Sequence, residues 1–143
     1  MKSILLLILL ALFNAPASAD TSPANQGDEL AQNLFAPELV LKYRQEIGLD
    51  GRQSKAVKDL VQKAQNRFLD LQWDIQAETA KLTQFLKARP IDSTAALAQA
   101  DRVLNLERDV KKAQLSLLIG IKNLLSSAQQ EQLLELRRKN PGS

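Results

Sequence analysis

The stretch RQSKAVKDLVQKAQNRFLDLQWDIQAETAKLTQFLKAR, from Arg52 to Arg89, contains neither glycine nor proline. Within it Val57, Val61, Ala64, Phe68, Leu71, Ile75, Thr79, Leu82 and Leu86 succeed one another at steps of three and four, and only Thr79 among them is polar. That is the periodicity of one buried helical stripe. The spacing predicts a single helix over nearly the whole interval, about 54 Å long at about 1.5 Å per residue. Arg89-Pro90-Ile91-Asp92-Ser93 breaks it, with Asp92 or Ser93 placed to cap the next helix. Beyond the break Leu97, Ala100, Val103, Leu106, Val110, Ala113, Leu117, Ile121 and Leu124 carry a similar stripe. Two long helices joined by so short a break must run antiparallel, so the chain is expected to be all-α and built on a long helical hairpin.

Outward from the hairpin, glycine and proline fall at the joints. Pro37 suits a first helical turn, where its missing N–H costs nothing, and Leu39, Val40, Tyr43 and Ile47 lead from it to Gly48, a natural C-terminal stop. After Leu125 a short fourth helix is expected to about Lys139, with Asn140-Pro141-Gly142 ending it. The expected domain spans residues 29–139, with a tail over 140–143 and no strand.

The amino terminus reads differently. Lys2, an apolar run from Ile4 to Phe13 and Ala17-Ser18-Ala19 have the layout of a signal peptide over residues 1–19, cleaved after Ala19, with a leader over 20–28. About ten apolar residues are too few for a membrane span, which takes roughly twenty, so no stable membrane insertion is expected. Loss of Lys2 takes the formal charge from +3 to +2, too mild to suggest nucleic acid. Many exported domains of this size lean on disulfides, but the chain has no cysteine, so packing alone must hold it.

Two short stretches share a skeleton. In GLDGRQSKAV, Gly48 to Val57, Leu49 and Asp50 precede Gln53; in LSSAQQEQL, Leu125 to Leu133, Leu125 and Ser126 precede Gln129. Asp50 and Ser126 fit N-cap positions and the glutamines fall at the third helical position, the spacing of a capping box. Each pair starts a helix just after another has ended. By itself such a joint is common and structural.

Two such joints flanking a long hairpin in a small exported chain resemble the Spy/CpxP family of periplasmic proteins, marked by two Leu-Thr-x-x-Gln motifs. Aspartate and serine stand here in place of the family's threonine. The likeness spans roughly residues 34–136. It implies a periplasmic four-helix chain that dimerises antiparallel into an elongated, curved cradle. It also implies one of three activities: ATP-independent chaperone for unfolded envelope proteins, inhibitory partner of a sensor-kinase periplasmic domain, or heavy-metal sensor.

The residues weigh those activities unequally. With no histidine, no cysteine and Met1 as the sole methionine, soft or borderline metals lack their usual ligands, and no metal or cofactor is expected. Asp70, Asp74 and Glu78 form an acidic row, better read as a solvated or ion-paired face. Folding the hairpin about Pro90 sets that row beside Arg102, Arg108 and Lys111. Neither a nucleophile with a base nor a glycine-rich phosphate loop is present, so no enzyme is expected.

What remains is apolar surface. Leu69 and Trp73 on the second helix and Leu115, Leu118 and Ile119 on the third lie off the main stripes, accompanied by Arg108, Lys111 and Lys112. These residues are candidates for a client surface or a homodimer interface. Burial against the first or fourth helix is the plainer alternative, and solubility the plainer role for the cations.

Overall fold

The computed structural model describes residues 32–140. The expected signal peptide, the leader, the start of the domain and the last three residues lie outside them. Four helices fall within the described residues: α1 (Pro37–Lys42), α2 (Gly51–Lys87), α3 (Ser93–Leu124) and α4 (Ser127–Lys139). The fold is all-α, with α2 and α3 forming the long hairpin and sharing by far the largest interface.

Helix boundaries obey local chemistry. Pro37 opens α1, but regular helix ends at Lys42 rather than continuing to Gly48. Residues 43–48 form successive turns, closed by Gly48 at φ 60°. There the Leu49 N–H donates to Arg44 O at 2.8 Å and the Gly48 N–H to Gln45 O at 3.1 Å. That pair of bonds is a Schellman closure, which the left-handed glycine makes possible. Thirty-seven residues then run unbroken in α2, about 55 Å at about 1.5 Å per residue. Asp92, of the two expected candidates, caps α3 by accepting the Ala95 N–H at 3.0 Å.

The core sits at the end of the hairpin where the chain enters and leaves. Phe35, Leu39, Val40, Tyr43 and Ile47 pack with Val57 and Ala64 of α2, Leu117 and Ile121 of α3, then Leu125 and Leu133. The lead-in to α1 is pinned there by side chains from the other end of the sequence. Lys122 donates to Asn33 O at 2.8 Å, and Arg137 donates to Leu34 O at 3.2 Å and also to Gln32 O. The Arg137 guanidinium stands 5.8 Å from the Phe35 ring centre, a cation–π contact. Arg137 thus ties α4 to the lead-in of α1.

One stripe expectation fails. Leu97 is 68% exposed, while Ala96 and Gln99 are buried in its place. Leu97, Ala100, Val103 and Leu106 are spaced by three successive steps of three, each falling about 60° short of a full turn. Leu97 therefore lies about 180° around α3 from Leu106. Leu86 is also exposed, since no third element among the described residues covers the tip of the hairpin.

Candidate functional site

The two capping boxes, read in the sequence as separate joints, form one structure. Asp50 accepts the Gln53 N–H at 2.7 Å while Gln53 Oε1 accepts the Asp50 N–H at 3.1 Å. Ser126 and Gln129 repeat the exchange at 3.2 and 2.9 Å. The two glutamine amides then bond each other: Gln53 Nε2 donates to Gln129 Oε1 at 2.9 Å, and Gln129 Nε2 to Gln53 Oε1 at 3.1 Å. The remaining amide hydrogens reach across to the preceding segments, Gln53 to Leu124 O at 2.8 Å and Gln129 to Gly48 O at 3.4 Å. Each amide oxygen thus accepts twice, and each amide nitrogen donates to its partner and to a backbone carbonyl.

A polar network with every member satisfied fixes geometry, since any other arrangement leaves a part-buried amide unpaired. Leu49 and Leu125, the leading residues of the motifs, pack into the core beside it. The network therefore sets the angles at which α1 and α4 leave the hairpin.

A second cross-hairpin contact lies nearer the tip. The buried Gln99 donates through Nε2 to Glu78 O at 2.9 Å and to Glu78 Oε2 at 2.7 Å, while Lys81 donates to Glu78 Oε1 at 2.6 Å. The Lys81 ammonium, then the Gln99 amide, hold the Glu78 carboxyl below its usual range, and Arg102 adds to the effect. The expected neighbourhood of Glu78 and Arg102 is therefore present. Among the described residues every ion pair within 4.0 Å is local, such as Lys55–Asp59 and Lys81–Glu78, and none joins α2 to α3. The facing acids and bases sit on solvated edges, where local pairs cost less side-chain freedom to form.

The candidate apolar surface divides. Trp73 is 64% exposed and Leu69, Leu115 and Ile119 are also exposed, so α1 and α4 cover none of them; Leu118 is half-buried. At about 100° per residue, Trp73 lies about 180° around α2 from the buried Ala64, and Leu115 and Ile119 lie about 160° around α3 from the buried Leu117. The two sets therefore face away from each other, along opposite outer edges of the hairpin. Leu97 and Leu104 join the α3 edge, with the exposed Arg108 and Lys111 between them and Leu115. Lys112 belongs elsewhere, on the rim of a groove between the two helices.

Sequence reading set Leu104 outside the buried stripe without counting it in the candidate surface, and placed Leu97 on the stripe; their seven-residue spacing, which returns a side chain to nearly the same direction, was the available signal. It also missed Gln99, for which a single glutamine near the start of α3 gave no signal. Among the described residues no helix is long and apolar enough to cross a membrane, and no group of three or more acidic, histidine or cysteine side chains could hold a metal ion. No family model, curated protein or solved structure matches the chain.

Proposed function

We propose that this chain is an exported holding protein of the Spy/CpxP kind, which binds partly unfolded envelope proteins in the periplasm as a homodimer and without nucleotide. The observation that carries the reading is the outer edge of α3, where Leu97, Leu104, Leu115 and Ile119 stand exposed beside Arg108 and Lys111. A protein that grips many unfolded chains needs weak, nonspecific contacts that release quickly. Charge attraction at long range, then loose apolar contact, supplies them. A scaffold held rigid at one end, by the core and the glutamine network, can present such a surface without collapsing onto it.

The test is light scattering from an aggregating unfolded protein, with the purified chain added at rising ratio and no nucleotide. Suppression at near-stoichiometric amounts is expected. It should weaken in Leu104→Ser and Leu115→Ser, in variants whose helicity and unfolding midpoint match the parent. No suppression at several-fold excess would overturn the holding function and turn attention to a single dedicated partner, such as a sensor-kinase periplasmic domain, captured by the same surface.

A further inference from the structure

A groove of about 490 Å³ opens between α2 and α3, on the joint-end side of the hairpin's middle. The volume lies within the about 300–1,000 Å³ typical of small-molecule sites. Leu60 and Ala64 of α2 and Ala113 and Leu117 of α3 give it an apolar floor. Small residues at 64 and 113 leave the hollow between the helices unfilled. Neither α1 nor α4 contributes a lining residue, so the groove is open to solvent on one side.

Its rim is charged in one sense. Lys63 and Arg67 stand on the α2 side and Lys112 on the α3 side, with Asp109 as the one carboxylate. None of the three cations makes an ion pair among the described residues, although α2 forms such pairs at Lys55–Asp59 and Lys81–Glu78. Three cations against one acid leave the rim net positive, which attracts an anion, and the apolar floor beneath them favours a hydrocarbon tail. On α2 the lining runs only from Leu60 to Arg67, about 10 Å of helix at about 1.5 Å per residue. That is too short to track an extended polypeptide and suits one compact ligand.

We infer that this groove binds a free single-chain anionic amphiphile, its carboxylate or phosphate head among Lys63, Arg67 and Lys112 and its tail over Ala64 and Ala113. This site is separate from the outer edge of α3, so it goes beyond the holding function and does not depend on it.

The test is isothermal titration calorimetry of the full chain with sodium decanoate below its micelle concentration, run beside decyltrimethylammonium and decyl maltoside. Saturable binding of one decanoate per chain is expected, at least about tenfold tighter than either comparator, because the head-group charge pairs with the rim. Arg67→Glu/Lys112→Glu should weaken decanoate at least about tenfold, since it replaces attraction by like-charge repulsion. Both side chains are exposed, so that variant should keep the parent's helicity and unfolding midpoint. Lys58→Glu, on an exposed part of α2 outside the groove, should leave decanoate binding unchanged. Absence of saturable binding would overturn the inference, as would equal binding of the cationic comparator or undiminished binding by the double variant. Co-sedimentation with phosphatidylglycerol vesicles without binding of monomeric decanoate would overturn it in favour of a membrane surface.

Discussion

The two ends of the hairpin are made from the same two helices and differ in almost everything else. At the joint end, residues from the α1 lead-in, both long helices and α4 bury a shared apolar cluster, roofed by the paired glutamine network. Toward the tip, Leu71, Ala96 and Gln99 are the only buried residues among those described, and Phe85, Leu86, Ile91 and Leu97 are exposed. Two packed helices can bury one stripe each, and a wider core needs a third element. Stability is thus concentrated where four helices meet, leaving apolar side chains exposed where only two do.

The largest effect should separate the two regions outright. Ile121→Ala or Leu133→Ala removes a fully buried side chain at the joint end and should cost about 2–5 kcal/mol in urea unfolding. Leu104→Ala, on the exposed outer edge, should stay within about 0.5 kcal/mol of the parent. A loss at Leu104 comparable to that at Ile121 would mean the outer edge is buried in the unfolding species, as in a stable dimer, and would make the free-surface reading untenable.

The glutamine network gives the next effect. Gln129→Ala removes its own cap bonds and strands the Gln53 amide, with an expected cost of about 2 kcal/mol. Gln53→Ala should cost about the same for the same reason. Because each partner is already orphaned in the other's variant, the double variant should cost less than the sum, with a coupling of about 0.5–3 kcal/mol. Additive losses would show two independent joints, as the sequence suggests, rather than one lock.

At the tip, the contact between Glu78 and Gln99 predicts a pH dependence with a definite sign. A carboxyl whose folded pKa is lowered adds stability that is fully present above its unfolded value, about 4.3, and is lost as pH falls through the folded value. Glu78→Gln should therefore be less stable than the parent near neutral pH, with the difference closing on acidification. Hydrogen exchange should place the change in the first turns of α3, around Gln99, with the core residues of α1 unaffected. An effect that spread to the joint end would mean the hairpin opens as one unit.

What was legible in the sequence was local. Cap and glutamine lie three residues apart, so both capping boxes, the two long helices and their ends could be read from neighbouring residues alone. The meeting of Gln53 with Gln129 joins positions separated by 76 in sequence, and no local pattern encodes it. The exposed position of Leu97 was present in the spacing but hidden by counting steps instead of summing angles. The turns at 43–48 replace an expected helix because Tyr43 and Ile47 pack into the core in that conformation, a tertiary preference that overrides a short helix's weak propensity. The groove cations looked like any other solvated lysines and arginines until the alanines beneath them were seen to leave space.

The smallest expected effect tests how rigid the helices are where the two regions merge. A Cβ at Gly120 would meet Leu60 Cδ1 at 3.1 Å, closer than ordinary van der Waals contact. Alanine in a helix interior gains about 1 kcal/mol over glycine, while displacing the end of a leucine side chain from its preferred rotamer costs about 0.5–1.5 kcal/mol. The two nearly cancel, so Gly120→Ala should shift stability by less than about 0.5 kcal/mol. Leu60 also forms part of the groove floor, so the displaced side chain should narrow the groove and weaken decanoate binding even with stability unchanged. A loss above about 2 kcal/mol would instead mean that Leu60 has nowhere to go and that the joint end's close packing extends into the groove.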